Sequence, residues 1–334
     1  MIDNTLFLQL FAEPNTQTTG LNAEHNDLSP EMKTFYRTSL LENARNANYF
    51  AQFGQKQGLP KNGGNQVEWR KFDTFKLATT PLTEGVTPDG NKLNMTKITK
   101  AIQQFGDYTT VSDLLELRAI DPVIASITEE HGAQAGDTID IIIRNELVSG
   151  TNVIYAPKSD GTEITSRADI TADCKLTPTV INRAFTQLKK MKAPTINGDY
   201  VAIVHPSVIF DLRESEGWLN AHEYAKPEEI FNGEVGKLHG VRFLETTNQK
   251  IWKTTNGAVY ACLFLGKDAY GVIEPSAESM EVIVKSRGSA GTADPLDQRS
   301  TVGWKCSTAA QILYQERMVR VECGSSFSKV DEAN

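Results

Sequence analysis

The spacing of apolar residues predicts three helical regions along this chain. The first begins at Pro30 and ends near Gly54, the second covers residues 112–149 and restarts at Asp121, and the third begins at Pro178. Ser29, Ser112 and Thr177 can cap the first turns, and Asp121 can cap the restart. Pro30, Pro122 and Pro178 suit the first helical position. The apolar residues then recur three and four positions apart, which places them on one face of a helix.

Short apolar runs bounded by glycine or proline predict strands in the second half of the chain. Residues 199–204 are predicted to form a buried strand that turns at His205 and Pro206 into a further helix. Core strands are expected in "GKLHGVRFLET", "AVYACLFLGKDAYGVIEP" and "SMEVIVKS", and again from "TVGWKC" onward. Together these segments supply enough apolar side chains for a sizeable core.

A different pattern occupies residues 65–111. The segments "QVEWRKFDTFKL" and "LNMTKITKAIQQFGDYTT" mix aromatic, β-branched and polar residues, and "TTPLTEGVTPDGNKL" between them is rich in turn formers. We expect two antiparallel arms joined by a proline- and glycine-rich tip. An arm of ten or eleven residues reaches ~35 Å, whereas a compact chain of this size has a radius of gyration of only about 20 Å.

The polarity of this ribbon indicates what it packs against. Its mostly polar faces supply little core, and an isolated two-stranded ribbon is only marginally stable in water. One interpretation is that it folds back onto the sheet of its own chain. The interpretation that we favour is that it rests on a neighbouring copy of the same chain.

Composition limits the classes of protein to consider. The 334 residues are 40% hydrophobic and 23% charged, which is typical of a globular protein with two domains or one elaborated domain. The net charge of -8 argues against wrapping nucleic acid, which requires clustered lysine and arginine. It does not argue against enclosing nucleic acid behind a wall that does not bind it.

The cysteines and the hydropathy pattern indicate a reduced, soluble protein. Cys174, Cys262, Cys306 and Cys323 are far apart in the sequence and lie beside apolar residues, so we expect four buried thiols. No apolar run approaches the ~20 residues that span a bilayer. The opening segment "MIDNTLFLQLFAEP" does not resemble a signal peptide, so nothing marks the product for export.

Candidate chemistry is sparse. The sequence contains no phosphate-binding loop, no dinucleotide fingerprint, no nucleophile elbow and no paired histidine spacing, which predicts no catalytic residues, no metal ligands and no cofactor. In "EEHG", Glu129 to Gly132, we expect a solvated cluster on a polar helix face. His205 lies at a strand end, where active-site residues are common, but we expect it to bond nearby backbone.

Several segments, taken in order, resemble one family, the major capsid proteins of tailed bacteriophages. They are "LSPEMKTFYRTSLLENARNANYFAQFGQKQGLPKNGG", "TPLTEGVTPDGNKLNMTKITKAIQQFGDYTTVSD", "GDYVAIVHPSVIFDLR", "FNGEVGKLHGVRFLET", "GKDAYGVIE" and "DPLDQRSTVGWK". The resemblance runs from about Leu28 to Cys323 and is greatest to the branch related to the coliphage N-four capsid protein. No single motif carries it; the ordered set does.

The resemblance implies an α+β chain with the Hong Kong 97 phage capsid fold. Residues 1–64 would form the N-terminal arm and helix, and residues 65–111 the extended β-hairpin loop, draped over an adjacent subunit. The peripheral domain, with its spine helix, would comprise residues 112–194 and 276–334. Residues 195–275 would form the axial domain near the symmetry axes.

Two sets of site residues follow from this division. Contacts between subunits are expected from the extended loop, at Trp69, Phe72, Phe75, Leu82, Glu84, Val86, Pro88, Asp89 and Ile98. Support of the peripheral domain is expected from Asp294, Pro295, Gln298, Arg299 and Trp304. In this second segment Asp294 and Pro295 are expected to end one strand, and Gly303 to permit close approach of the backbone.

The implied function is structural. Many copies would tile an icosahedral shell of hexamers and pentamers that encloses double-stranded DNA without sequence-specific binding, with no membrane and no cofactor. The resemblance also implies a portal and a scaffolding protein, leaves a decoration protein open, and implies a virion capsid assembled in the bacterial host cytoplasm.

Two other functions are considered. The first is a shell protein of a bacterial nanocompartment of the encapsulin type, which would enclose a cargo enzyme instead of DNA. The long N-terminal segment and "EGVTPDG" favour the phage interpretation. The second is a soluble enzyme that uses His205, which would be a monomer or small oligomer and would lose turnover in His205→Ala.

Overall fold

The computed structural model contains both α-helices and β-strands and describes only part of the chain. The described residues are 16–17, 49–58, 64–73, 75–87, 89–118, 123–215, 218, 234–273, 280–285, 287–289, 293–328 and 330–334. Most of the helix predicted from Pro30 to Gly54 lies outside these residues. At its expected end, Phe50–Gln52 form a single 3₁₀ turn.

Four α-helices are described: α1 (Asp113–Arg118), α2 (Val123–Val148), α3 (Pro178–Lys190) and α4 (Pro206–Arg213). In the first half of the chain the strands are β1 (Thr16–Gln17), β2 (Gln55–Gln57), β3 (Gln66–Phe72), β4 (Met95–Ala101), β5 (Gln103–Ser112) and β6 (Val153–Tyr155). In the second half they are β7 (Tyr200–Val204), β8 (Glu234–Leu238), β9 (Val241–Glu245), β10 (Ile251–Thr254), β11 (Gly257–Leu265), β12 (Tyr270–Ile273), β13 (Met280–Lys285), β14 (Arg299–Thr308), β15 (Ala310–Ile312) and β16 (Met318–Cys323).

Local sequence signals position two of the helices as expected. The hydroxyl of Thr177 accepts a hydrogen bond from the backbone N–H of Val180, and Pro178 occupies the first turn of α3. His205 caps α4, because its ring nitrogen Nδ1 accepts the N–H of Ser207 at 3.2 Å. The predictions of a helix after Thr177 and of a strand-to-helix turn at His205 are confirmed.

The chain divides into two compact units, and each is described by itself. The first comprises residues 1–49, 103–140 and 275–308, and the second comprises residues 50–102, 141–274 and 309–334. Helix α2 contributes its first part to the first unit and its last part to the second. Neither unit is continuous in sequence.

The first unit is built on a four-stranded sheet with the order β1-β5-β14-β13. Strands β5 and β14 pair along ten residues, and Gly303 lies opposite Tyr108. A β-carbon added at Gly303 would lie 2.7 Å from Cβ of Tyr108 and 2.8 Å from the carbonyl oxygen of Asp107, which is too close. The predicted close approach of the backbone at Gly303 is confirmed.

One boundary of this sheet differs from the prediction. Strand β13 ends at Lys285, so Asp294 and Pro295 do not end a strand. They belong instead to the turn that precedes β14, in which the N–H of Asp297 donates to the carbonyl of Asp294 at 3.1 Å. Proline by itself does not mark the end of the strand before it, and here it opens a turn.

The second unit contains a seven-stranded sheet with the order β6-β16-β11-β7-β9-β8, and β10 pairs with β11. Helices α3 and α4 pack on it, and the strands β7, β11 and β16 are buried along nearly their whole length. A separate three-stranded sheet, β15-β12-β2, and the two-stranded ribbon β3-β4 complete this unit.

The four cysteines are buried and free, as predicted. Within the described ranges no helix is both long enough and apolar enough to cross a membrane.

Candidate intersubunit surface

Strands β3 and β4 form the base of the predicted ribbon, and their two faces differ. They pair antiparallel from Gln66 opposite Ala101 to Phe72 opposite Met95, so the predicted antiparallel arms are confirmed over seven residues each. The arms are shorter than predicted, because residues 103–110 of the expected return arm belong to β5 and pair with β14 instead. Opposite residues share a face of a two-stranded ribbon. Val67 and Trp69 are buried on one face, and Phe72 is half exposed on the other. Trp69 and Phe72 are an odd number of positions apart, which places these two aromatic side chains on opposite faces.

The buried face of the base packs on the ribbon's own chain. Val67 and Trp69 join an apolar cluster with Ile273 and Leu313, and Ile98 packs against that cluster. Trp69 is 3% exposed, and its indole lies directly on the backbone of Gly271 in the middle strand of the three-stranded sheet. Two predicted contact residues, Trp69 and Ile98, therefore face their own chain in this structure.

Charged side chains hold the same base at two further points. The ammonium of Lys71 lies 4.6 Å from the ring centre of Tyr314 and 3.8 Å from a carboxylate oxygen of Glu316. The ammonium of Lys100 donates to Glu146, near the end of α2, at 3.0 Å. Because both sites are partly exposed, each contributes modestly to stability. Together with Trp69 they fix the base at three places.

The tip of the ribbon, residues 73–94, has the opposite character. Its described residues form no strand, and its turn is closed by the N–H of Val86, which donates to the carbonyl of Thr83 at 3.2 Å. Gly85 has φ of 77°, which accounts for the glycine at this turn. The side chains of Glu84 and Asp89 are exposed, and Pro88 lies outside the described residues.

Large apolar side chains concentrate in and beside this tip. Fourteen of them are exposed in the described residues, and half lie within the 24 residues from Phe72 to Met95. Such a cluster indicates an interaction surface, because scattered apolar side chains are normal on a monomer but a concentration of them is not. We call this group the exposed apolar set: Phe72 (53% exposed), Phe75 (53%), Leu77 (80%), Leu82 (78%), Val86 (63%), Leu93 (58%) and Met95 (50%).

The outer face of the base carries charge beside the exposed apolar set. Lys97 lies 2.5 Å from Glu68, and Arg70 lies 3.3 Å from the same carboxylate. The hydrogen bond from Lys97 is the main reason that the pKa of Glu68 lies below its usual value. Because these ion pairs are exposed, they contribute little to the stability of the ribbon.

In the first unit, the residues expected to give support surround the start of β14. The buried carboxylate of Asp294 accepts the backbone N–H of Arg299 at 2.8 Å, and the guanidinium of Arg299 donates to the carbonyl of Ala293 at 3.0 Å. The carbonyl of Gln298 accepts the N–H of Asp113 at 2.9 Å, and Pro295 is exposed. These contacts fix the turn to the start of α1.

Trp304 belongs to a network centred on Gln134, a residue that sequence analysis missed. The amide of Gln134 donates to Asp107 at 2.7 Å and accepts the indole N–H of Trp304 at 3.1 Å. Its oxygen also lies 3.1 Å from Nδ1 of His131, so His131 carries its proton there. Nε2 of His131 then accepts the hydroxyl of Thr109 at 3.0 Å. The hydrogen bond from Gln134 is the main reason that the pKa of Asp107 is lowered.

This network corrects one prediction. Glu129 and Glu130 are exposed as expected, but His131 is buried and hydrogen-bonded rather than solvated. The neighbouring glutamates suggested a polar helix face, whereas His131 points from α2 to strand β5 of the same unit. The orientation of His131 becomes visible only when α2 and the distant strand β5 are seen together.

His205 has a structural role in this geometry. Its Nδ1 caps α4, and its ring lies 5.0 Å from that of Tyr260. Burial lowers the pKa of His205, so the ring favours the neutral form that capping requires. In the part of the chain that the structure describes, no group of three or more histidine, cysteine or acidic residues could hold a metal ion.

The comparisons with known proteins agree with this architecture. The family described as phage capsid protein matches residues 96–319, about two thirds of the chain. No curated protein matches the sequence. Solved structures share the fold at low identity. The capsid of Ralstonia phage GP4 has a TM-score of 0.66 at 14% identity, over 92% of this chain and 97% of that chain.

Two further structures show the same likeness. The capsid of cyanophage Pam1 has a TM-score of 0.63 at 15% identity, over 98% of this chain and 100% of that chain. The head structure of Helicobacter pylori bacteriophage KHP40 has a TM-score of 0.58 at 9% identity, over 92% and 98%. At these identities the likeness establishes the fold, and the family match establishes the kind of protein. The chain thus belongs to the phage capsid protein family, and it is a major capsid protein with an α+β fold like that of the Hong Kong 97 phage capsid.

Proposed function

We propose that this chain assembles, through hexamers and pentamers, into a closed icosahedral shell around double-stranded DNA. The observation that carries the proposal is the exposed apolar set of the ribbon, which a single copy leaves in water. Fully burying a leucine or phenylalanine contributes about 1.5–3 kcal/mol. A neighbouring copy that covers this set would bury it, which accounts for a ribbon that is both long and apolar at its end.

Weak individual contacts suit such a shell. A contact of about 4 kcal/mol corresponds to only millimolar affinity for one pair. Each subunit in a closed lattice makes several such contacts, and their effects multiply once one neighbour holds another in place. Misplaced subunits can therefore leave during assembly, whereas the finished shell is durable.

The finer division of the chain is part of this proposal. We assign residues 1–64 to the arm, 65–111 to the extended loop, 112–194 and 276–334 to the peripheral domain, and 195–275 to the axial domain. We further propose that a portal and a scaffolding protein take part, that assembly occurs in the host cytoplasm, and that the chain has no enzymatic activity.

The excess of acidic over basic residues supports enclosure of DNA rather than binding to it. A net charge of -8 gives the protein little general attraction for phosphate, so packaged DNA would not adhere to the wall. DNA on the inside would then be retained by closure of the shell and not by contacts with bases.

Electron microscopy of purified full-length protein, followed by nucleic-acid extraction, tests the proposal. Closed particles of uniform size are expected, and particles purified from infected cells should protect DNA from nuclease. Particles that hold a cargo enzyme and no DNA would favour a nanocompartment shell. A monomer whose turnover is lost in His205→Ala would favour an enzyme.

A further inference from the structure

The contact between Trp69 and Gly271 has an unusual geometry. A β-carbon added at Gly271 would lie 2.9 Å from Cζ2 of Trp69, and closer still to Cε2 and Nε1. These separations are shorter than nonbonded carbon atoms tolerate. The indole therefore occupies a notch in strand β12 that exists only because residue 271 has no side chain.

The backbone does not itself require glycine at this position. Gly271 is absent from the residues with positive φ, and it pairs regularly with Gln311 on one side and Gln55 on the other. Alanine could adopt this extended conformation without strain. The three atoms nearest to a β-carbon at residue 271 all belong to the ring of Trp69, which is therefore the main obstacle to a side chain there.

Shape, rather than hydrogen bonding, holds the indole in the notch. Its N–H is buried and has no hydrogen-bond acceptor among the described residues. Leaving a buried donor unpaired is unfavourable, so a tryptophan here must be favoured by its packing. The ring is rigid, and Trp69 is paired opposite Ile98 in the ribbon ladder, so it cannot move far without moving the ribbon.

The notch lies between the two charged attachment points of the ribbon base. Lys71 contacts Tyr314 and Glu316 two residues further along β3, and Lys100, which pairs opposite Val67, contacts Glu146. These long side chains can follow a small rotation of the ribbon. The indole in its notch cannot follow such a rotation, so it is the contact that determines the direction of the ribbon.

We propose that Trp69 and Gly271 form a lock that sets the direction in which the ribbon leaves its subunit, and that this direction decides whether copies can close a shell. The inference rests on the proposed function for its second half only. Trp69 and Gly271 are thus positioning residues: they act through the ribbon tip and need not contact a neighbouring copy themselves.

The first half is tested on the full-length chain in dilute solution. Spin labels on Thr96→Cys, in strand β4, and Thr255→Cys, in an exposed turn of the same unit, report the direction of the base. The four native cysteines are buried and should not compete for the label. In Gly271→Ala, the mean distance between the labels should shift outside the width of the original distribution.

The reciprocal variant separates the lock from general damage. Leucine lacks the three indole atoms that meet a side chain at residue 271, so Trp69→Leu should remove the penalty of Gly271→Ala. In the Trp69→Leu background, adding Gly271→Ala should change neither the label distance nor the unfolding midpoint. A shift of equal size in both backgrounds would overturn the proposal.

The second half is tested by assembly. Gly271→Ala should leave folded, soluble subunits but no closed shells. Gly266→Ala is the matched control, because its β-carbon would lie 2.9 Å from the carbonyl oxygen of Pro194 and 3.1 Å from that of Arg317, and its three nearest atoms include none from the ribbon. This control should lose stability yet still form shells.

Two further results would contradict the lock. Normal shells and an unchanged label distance in Gly271→Ala would show that the notch sets nothing. If Gly266→Ala has the same unfolding midpoint as Gly271→Ala and also forms no shells, the defect of Gly271→Ala is due to lower stability. If the unaltered chain forms no shells, the proposed function fails, while the label distances still decide whether the lock sets the direction of the ribbon.

Discussion

The base and the tip of the ribbon differ in one respect, which is whether their own chain supplies something to pack against. In the base, Trp69 and Val67 are buried on the three-stranded sheet and its neighbours. In the tip, Leu77 and Leu82 are about four-fifths exposed. Both regions carry large apolar residues, so composition does not distinguish them. The base belongs to the folded subunit, and we propose that the tip is completed by a second copy.

The largest effect is expected from removing the tip. Deletion of residues 79–92 leaves enough linker between Phe72 and Met95 to close the hairpin, so the subunit should fold with nearly unchanged stability. It should form no closed shells, as measured by sedimentation and electron microscopy. A glycine-serine segment of equal length is the control for chain length and should fail in the same way. Normal particles from either variant would show that the tip is dispensable.

A change in the base should act on stability instead. Trp69→Ala should lower the free energy of unfolding by about 3–5 kcal/mol, the usual cost of truncating a buried tryptophan. Phe75→Ala, at a half-exposed position of the tip, should change it by no more than about 0.5 kcal/mol. Urea unfolding of the two variants measures this contrast. Equal losses would mean that the tip is packed on its own chain.

Polar substitutions in the tip sharpen the comparison further. Leu77→Ser combined with Leu82→Ser should leave the unfolding midpoint unchanged and slow assembly, followed by light scattering, because less apolar surface is buried between copies. Thr79→Ser combined with Thr83→Ser changes exposed tip residues without removing large apolar groups and is the control. Assembly at an unchanged rate in the leucine variant would contradict a buried tip.

The smallest effects concern acid stability, and here too the ribbon and the body should differ. Burial opposes ionisation of Asp211, but hydrogen bonds from Lys175, Ser326 and Ser325 outweigh it and lower its pKa. A lowered folded-state pKa gives stability that is present above the unfolded value near 3.8 and is lost as the pH falls below it. Asp211→Asn should therefore weaken the dependence of stability on pH below about pH 4.

Glu68 is the matched test on the ribbon. Its pKa is also lowered, chiefly by the hydrogen bond from Lys97, so the sign of its effect is the same. Glu68 is part of an exposed pair, and water and salt screen such pairs. Acid unfolding of Glu68→Gln, followed by circular dichroism, should superimpose on that of the unaltered chain. A shift as large as that of Asp211→Asn would show that the ribbon base governs acid stability.

Local signals in the sequence were sufficient wherever the responsible residues are neighbours. Thr177 with Pro178, and His205 with Pro206, predicted helix starts correctly, because capping involves residues only two or three positions apart. The antiparallel arms of the ribbon followed from their residue types and from the turn formers between them. Asp294 was placed wrongly because a proline near a turn does not tell which strand it borders.

What the sequence could not provide are partners that are distant along the chain. Nothing near Trp69 shows that its ring meets Gly271, although a glycine within a predicted strand is a general sign of close approach. Nothing near His131 indicates Thr109 or Gln134, so its burial was missed. The same limit applies to the tip, for which we propose a partner outside the subunit.

Cryo-electron microscopy of particles formed by the full-length chain tests the central claim most directly. The account predicts closed shells in which Leu77, Leu82 and Val86 of each copy are buried against a second copy, while Trp69 remains in the notch at Gly271 of its own chain. A tip that stays in solvent in the assembled shell, or that folds back onto its own subunit, would contradict it.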